Sequence, residues 1–261
     1  RDWSSDVCSS DLSFMQQYVV KPNDTLYLIA KEFNIPLAQL IRANPQITNP
    51  DLIFEGQTIN IPSMLPVPEQ IDTIELNVVD IIDDIFRADW QSADRRIDTV
   101  RTAMNALVPI LQEAEVPNDI IFDLNAAIRM LEQNIAQRRA YPAISMANRV
   151  TQILADVLDY FNVIVPTDLM RLAYFARQLI VNVEQNDWAE ALQNYRRATD
   201  VWHRIRPMLG NFVSSVAEMD RIFAALLGSI NNRNYRTAIE GATSIIDLLE
   251  VLTANFEQMF T

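Results

Sequence analysis

The sequence predicts a mainly α-helical protein, in which a small βααβ module precedes an all-α domain of about eight helices arranged as four helical-hairpin repeats. Two observations predict this class. Short alternating runs of β-branched residues flank two helical patterns near the N-terminus, and a Val-Pro signal for a helix start then recurs every 49 residues. With 49% hydrophobic and 21% charged residues, the composition is that of a folded chain.

The N-terminal module begins and ends with a predicted strand. Alternation at 18–21 and 57–61 is typical of strands that pair with each other. Between them, apolar residues spaced by three and four predict two short helices. The first helix contains Leu26, Ile29, Ala30 and Phe33, and the second contains Leu37, Leu40 and Ile41.

Turn and capping residues support these boundaries. Asp24 or Thr25 can cap the first helix by accepting a hydrogen bond from a free backbone N–H. Pro36 separates the two helices, because its ring blocks continuation of the first. Asn44 and the proline after it end the second helix, and Gly56 supplies the turn into the last strand.

These residues resemble a known family over the whole length of the module. The fixed points are Y-V-V-K-P-N-D-T-L-x-x-I-A and then N-P-x-I-x-N-P-x-x-I-x-x-G-Q-x-I-x-I-P, a pattern similar to that of LysM domains. LysM domains bind glycans that contain N-acetylglucosamine, chiefly peptidoglycan and chitin. One departure is Asn23, where the family usually has glycine. Asparagine tolerates the left-handed conformation, so we expect the turn to form.

The resemblance implies a glycan-binding site in a shallow groove between two loops. Its walls are formed by nine residues, which are Asn23, Asp24, Thr25 and Leu26 on one side and Ile47, Thr48, Asn49, Pro50 and Ile53 on the other. Backbone amides and Asn or Thr side chains would hydrogen-bond N-acetyl and hydroxyl groups, while the apolar side chains pack on a sugar face. The alternative, in which Asp24 is only a helix cap and Ile53 only a core residue, stays open.

Residues 1–14 fit neither pattern and are expected to be a non-native or disordered leader. The first twelve resemble a translated sequencing adapter, which would make Met15 a start site without a signal peptide. The single cysteine, Cys8, lies in this segment, so a disulfide framework is excluded. The predicted organisation is then a LysM-like module at 15–62, a proline-rich linker at 63–68 and a helical domain at 69–261.

The helical domain is organised by a repeat of 49 residues. Copies open with Val-Pro at Val67, Val116 and Val165, and proline costs nothing at a helix start. An aromatic residue marks the turn within each hairpin, and these residues are Trp90, Tyr141, Trp188 and Tyr235. We expect them to lie in the core between the two helices of their hairpin. Whether the hairpins form a bundle or a short solenoid stays open.

Charge and hydropathy argue against several partners. A net charge of −13 disfavours nucleic acid and anionic membrane surfaces, because both attract basic patches. No stretch approaches the roughly 20 apolar residues of a transmembrane helix. The acidic series in the first helices of the helical domain, which includes Asp80 and Asp84, is expected to form a solvated face.

The helical domain lacks a recognisable catalytic set. A cysteine peptidase needs a Cys–His pair, and no cysteine follows Cys8. A zinc amidase normally needs more than one histidine, whereas His203 is alone. With Asp200 one turn before it, His203 is expected to form a helical salt link or to lie at the core boundary. A lysozyme-like enzyme needs only one or two carboxylates, so composition does not exclude it. No metal site and no cofactor are predicted.

These observations predict a non-catalytic protein of the cell wall or of a spore layer. The LysM-like module would bind peptidoglycan or a chitin-type glycan, and the helical domain would act as a spacer or bind a protein partner. The alternative is a LysM-targeted peptidoglycan hydrolase with a divergent helical catalytic domain. A third hypothesis is an intracellular binding protein whose module no longer meets glycan.

Overall fold

The computed structural model describes residues 16–33, 35, 37–50, 52–62, 65–210 and 212–260. The predicted leader at 1–14, Met15 and Pro36 lie outside these residues. The chain divides into two compact units. The first contains the residues up to Pro66 together with Asp159–Asn162, and the second contains Val67–Leu158 and Val163–Thr261.

The first unit has the predicted βααβ order. Its elements are β1 (Gln16–Val19), α1 (Leu26–Glu32), α2 (Leu37–Arg42) and β2 (Thr58–Ile61). The two strands pair antiparallel, with Tyr18 opposite Ile59. Both helices contribute to one small core with the strands, in which Ile29 is completely buried. A short parallel pairing also joins β3 (Leu65–Pro66) to β4 (Phe161–Asn162).

The described part of the second unit contains eight long helices, in agreement with the four predicted hairpins. They are α3 (Glu69–Phe86), α4 (Trp90–Glu113), α5 (Asn118–Ala136), α6 (Ala140–Leu158), α7 (Thr167–Glu184), α8 (Trp188–Ile205), α9 (Val213–Asn231) and α10 (Tyr235–Phe260). Pro68, Pro117 and Pro166 occupy the N-cap positions of α3, α5 and α7, so the helix starts predicted from Val-Pro are confirmed. Across the described residues, no helix combines the length and apolar character needed to cross a membrane.

The four hairpins close into two four-helix bundles. In the first bundle, α3 packs against α4 and α6, and α5 packs against the same two helices. In the second bundle, α7 packs against α8 and α10, and α9 again packs against both. Helices α6 and α7 lie against each other and join the bundles. Closing each set of four helices buries the apolar stripe of every helix against two neighbours.

Each hairpin turn contains one residue in the left-handed backbone conformation. These residues are Ala88, Arg138, Asn186 and Arg233, with φ between 49° and 58°. In the first turn, the Ala88 N–H donates to the Ile85 carbonyl at 3.0 Å. The Asp89 N–H donates to the Asp84 carbonyl at 2.8 Å. The other three turns repeat this Schellman pattern, so the last carbonyls of each first helix are satisfied without a glycine.

The aromatic residues at the hairpin turns are not core residues, contrary to the sequence prediction. Tyr141 and Tyr235 are exposed, and Trp90 and Trp188 are half-buried. Each occupies the first or second position of its helix, at the end of a bundle, where neighbouring helices cover only part of the ring. Trp188 Nε1 donates to Asn186 Oδ1 at 2.7 Å, and the Tyr235 hydroxyl donates to Glu184 of the preceding hairpin.

One member of the acidic series is buried, which corrects the prediction of a solvated face. Asp84 Oδ2 accepts from Arg96 Nε at 2.8 Å, and the same guanidinium lies 2.6 Å from Asp80. The third hairpin has a neutral pair instead, in which Asn194 Nδ2 donates to Asn182 Oδ1 at 2.9 Å. Asp84 and Asn182 both lie four residues before the left-handed residue of their turn. Because burying a polar or charged group without a partner is costly, Asp84 and Asn182 each pair with a side chain of the second helix of their hairpin.

Replacing Ala88 with glycine should stabilise the first bundle. Ala88 is exposed and has a φ of 58°, which places its Cβ too close to the backbone. We expect Ala88→Gly to raise the free energy of unfolding by about 1 kcal/mol, measured by guanidinium denaturation followed by circular dichroism. Asn186→Gly is the matched control, and its gain should be smaller because asparagine tolerates this conformation. Equal gains at the two positions would contradict a strain specific to Ala88.

Candidate functional site

The first loop, residues 20–25, turns at Asn23. The φ of Asn23 is 69°, so the predicted left-handed turn is confirmed. Asp24 closes the loop, because its Oδ2 accepts from the Lys21 backbone N–H at 2.7 Å and from the Tyr18 hydroxyl at 2.8 Å. These donors favour the ionised carboxylate and hold the pKa of Asp24 below its ordinary value. The same hydrogen bond raises the pKa of the Tyr18 phenol.

Thr25 begins helix α1. Its backbone is extended, with φ −128° and ψ 156°, and its Oγ1 accepts from the Leu28 N–H at 3.1 Å. This is the geometry of an N-cap. Thr25 is therefore the N-cap of α1, and Asp24 closes the loop before it. The sequence alone leaves open which of the two residues caps the helix.

The second loop, residues 43–57, is organised by the buried side chain of Asn44. Its Nδ2 donates to the carbonyls of Leu40 at 2.8 Å and Asn60 at 2.7 Å. Its Oδ1 accepts from the Asn60 N–H at 2.7 Å and from Gln46 Nε2 at 2.9 Å. One amide thus ties together the end of α2, the loop and β2. In the sequence, Asn44 indicates only the end of a helix, and no pattern there predicts that its side chain connects the loop to β2.

Backbone hydrogen bonds join the bases of the two loops. The Gly56 N–H donates to the Val20 carbonyl, and the Val20 N–H donates to the Gln57 carbonyl, both at 2.9 Å. Gly56 has a φ of 81°, which a residue with a Cβ adopts only with strain. The two loops therefore leave the sheet side by side.

The nine predicted site residues differ in exposure. Five are exposed, and these are Asn23, Thr25, Thr48, Asn49 and Pro50. Asp24 and Ile53 are half-buried. Leu26 and Ile47 are only 2% and 8% exposed and belong to the core. A ligand would therefore meet mostly neutral polar side chains, while Leu26 and Ile47 support the loops from beneath.

Two exposed apolar residues flank Ile53 and are absent from the sequence prediction. Leu52 and Phe54 are 55% and 63% exposed. The Phe54 N–H donates to Gln57 Oε1 at 3.0 Å, which fixes the backbone at this position. Apolar side chains beside polar loops can cover a sugar face while the loops hydrogen-bond its substituents. In the sequence, Leu52 and Phe54 appear only as two apolar residues that follow no helical spacing.

Comparison with known proteins decides what this unit is. The family model of the LysM domain matches residues 18–62. Residues 18–62 are a LysM domain. The family to which this part of the chain belongs implies binding to a glycan of the peptidoglycan or chitin type.

Three relatives match this chain over segments of 45 to 49 residues. Over 49 residues it is 41% identical to the spore coat assembly protein ExsA of Bacillus cereus, covering 19% of this chain and 8% of that protein. Over 45 residues it is 51% identical to the secreted LysM effector ECP6 of Passalora fulva, covering 17% and 20%. Over 45 residues it is 47% identical to the endolysin of Bacillus phage PZA, covering 17% of each. The chain thus spans a fifth or less of these relatives. No solved structure matches it.

The candidate catalytic histidine of the helical unit lies at its surface. His203 and Asp200 are both exposed on α8 and form no ion pair with each other, so the predicted salt link is absent. Exposure explains this, because water solvates both groups and little is gained by pairing them. Among the residues that the structure describes, no three histidine, cysteine, aspartate or glutamate side chains are grouped as metal ligands.

Removing the Asn44 side chain should destabilise the LysM domain. Asn44→Ala deletes four hydrogen bonds and leaves the buried backbone groups of Asn60 without partners, at a cost of about 2–4 kcal/mol. Hydrogen–deuterium exchange should show faster exchange at 58–61 with the helical unit unchanged. Gln46→Ala, which removes one of the four bonds at the surface, is the control and should have little effect. Unchanged exchange in Asn44→Ala would contradict the proposed role.

Acid should loosen the first loop, and the Lys21 N–H together with the Tyr18 hydroxyl should set the pH at which this occurs. The folded pKa of Asp24 is lowered, so its stabilisation is present above the unfolded pKa of about 3.9 and is lost as the pH falls through the folded value. Tyr18→Phe removes one donor and should raise the pKa of Asp24 towards 3.8, measured by NMR titration of its carboxyl carbon. Tyr27→Phe on α1 is the control. A similar shift in both variants would contradict the hydrogen-bond explanation.

Proposed function

We propose that this protein attaches through its LysM domain to a glycan containing N-acetylglucosamine and that its helical unit is a non-catalytic spacer or protein-binding module. The observation that carries the proposal is the pair of loops joined at their base. They present exposed neutral polar side chains, including those of Thr48 and Asn49, beside exposed Leu52 and Phe54.

This surface suits a neutral N-acetylated sugar. An N-acetyl group offers one carbonyl acceptor and one N–H donor, which backbone groups and Asn or Thr side chains can satisfy. No charge is needed for such a ligand, and the Asp24 oxygen that faces the loop is already occupied by Tyr18 and Lys21. Sugar rings also have apolar faces, which Leu52 and Phe54 can cover. The proposed specificity is therefore for the N-acetylglucosamine unit that peptidoglycan and chitin share.

The proposed location is the cell wall or a spore layer. Similarity to a spore coat assembly protein supports the spore setting, although it extends over the LysM domain alone. Similarity to a phage endolysin is limited in the same way, to 45 residues and 17% of that protein. The described residues of the helical unit contain no group of three histidine, cysteine, aspartate or glutamate side chains that could hold a metal ion, and ion pairs such as Arg101 of α4 with Glu132 of α5 at 2.6 Å link its helices. These features support a rigid module rather than a mobile catalytic cleft.

Changing the exposed second wall should weaken glycan binding. Thr48→Ala with Asn49→Ala removes two neutral hydrogen-bonding side chains, and we expect binding to insoluble peptidoglycan or chitin to fall roughly tenfold. Sedimentation of the full chain with each polymer measures this. The matched control is Thr102→Ala with Asn105→Ala, an exposed pair on α4 that should bind like the unmodified chain.

Two outcomes would overturn parts of this proposal. Full binding by the loop variant would place the glycan site elsewhere on the chain. Release of soluble sugar fragments from the polymer, measured as new reducing ends, would show that the protein is a hydrolase and not a non-catalytic anchor. Binding to neither polymer would favour a protein ligand for the LysM domain.

A further inference from the structure

The junction of the two bundles leaves a groove that neither bundle fills. Helix α5 belongs to the first bundle and α8 to the second, and α6 and α7 form the contact between them. The interbundle groove, lined by residues of α5, α6, α7 and α8, has a volume of about 410 Å³. This is within the usual range of ligand sites, about 300–1,000 Å³. It lies wholly within the helical unit.

Two arginines face this groove from opposite sides, Arg149 on α6 and Arg197 on α8. Several arginines of the unit are held by carboxylates at short distances, for example Arg101 by Glu132 at 2.6 Å and Arg206 by Asp220 at 2.8 Å. Arg149 Nη1 donates to the neutral Gln152 side chain, and the nearest carboxylate to Arg149, that of Asp123, is 4.0 Å away. Arg197 forms no ion pair or hydrogen bond with any residue that the structure describes.

The floor of the groove is polar and held in place from beneath. Tyr174 and Gln178 of α7 line it, and both are fixed by Asn148 of α6. Asn148 Nδ2 donates to the Tyr174 carbonyl at 2.9 Å and to Gln178 Oε1 at 3.3 Å, which leaves the Gln178 NH₂ group as a donor. Both arginines act on the Tyr174 phenol, since their charges oppose the rise in its pKa that burial causes.

Further amide groups extend the floor. Asn182 and Asn194 line the groove and are linked to each other at 2.9 Å, so one acceptor and one NH₂ group remain for a ligand. Asn148 Oδ1, completely buried beside this floor, has no hydrogen-bond partner among the described residues. Buried polar atoms without a partner are uncommon in folded proteins and mark places where a further group is needed.

We propose that the interbundle groove binds a peptide segment through a single carboxylate. The guanidinium groups of Arg149 and Arg197 would hold the carboxylate in paired hydrogen bonds, a geometry that arginine provides and lysine does not. The amide side chains of Gln178, Asn182 and Asn194 would bind the flanking peptide backbone. This binding goes beyond the proposed glycan anchor and does not depend on it.

The rim of the groove restricts the ligand further. Asp123 on α5 and Glu190 on α8 also line it and are exposed. Their negative charges repel a polyanion but tolerate one carboxylate flanked by neutral or basic residues. The ligand class is therefore an isolated acidic residue in a peptide, and a nucleic acid or a polyphosphate chain is excluded by charge.

The first test compares three peptides on the unmodified full chain. The probes are blocked tetrapeptides of glycine and alanine that carry one glutamate, one glutamine or one lysine, titrated by NMR or calorimetry. The glutamate peptide should bind at least about tenfold more tightly than the other two. Equal binding of the three, or no binding of any at millimolar concentration, would overturn the proposal. Tighter binding of inorganic polyphosphate would show a general anion site and would also overturn it.

The second test locates the binding. Arg149→Gln with Arg197→Gln should reduce affinity for the glutamate peptide at least about tenfold, and Arg197→Lys, which keeps the charge, should reduce it less. The matched control is Arg221→Gln with Arg236→Gln, which removes two exposed positive charges elsewhere on the unit. Equal losses in control and groove variants would show that net charge alone drives binding and would overturn the assignment. Peptidoglycan binding measured on the same proteins should be unchanged.

Discussion

A helical hairpin cannot bury the apolar faces of both its helices by itself, and the helical unit of this protein is organised around that constraint. Two hairpins satisfy it by closing into a ring of four helices, and the chain does so twice. The turns that make each closure possible are short, because left-handed residues such as Ala88 and Asn186 reverse the chain within a few positions. Once both rings are closed, the packing of α6 against α7 joins them. The groove beside this joint is a direct result of the same constraint.

In the LysM domain, the apolar core is too small to hold two long loops in place. Polar groups do so instead. Asn44 connects the second loop to α2 and β2 through four hydrogen bonds, and Asp24 closes the first loop through Tyr18 and Lys21. In each network, a single side chain holds a loop in place through these hydrogen bonds. Thr48 and Asn49 in the second loop are exposed and are part of the proposed glycan site.

Sequence patterns predicted the elements well and their surroundings less well. Spacing of apolar residues identifies a helix face, and Val-Pro identifies the starts of α3, α5 and α7, because both signals are local. Which helices then pack together depends on contacts far apart in the sequence, so bundle and solenoid could not be distinguished. The same limit explains Asp84, whose burial depends on Arg96 of the next helix. In the glycan site, the pattern indicated the loops but not that Leu26 is buried or that Phe54 is exposed.

The paired polar groups inside the first and third hairpins bear on the ancestry of the helical unit. Asp84 with Arg96 and Asn182 with Asn194 occupy the same places in their hairpins, separated by 98 residues. An offset of two repeats, combined with two rings of identical helix order, is what tandem duplication of a two-hairpin ancestor produces. The first hairpin has an ion pair at the place where the third has two amides. Replacing both partners together keeps the interior polar groups paired, whereas replacing only one of them would leave an unpaired charge in the interior.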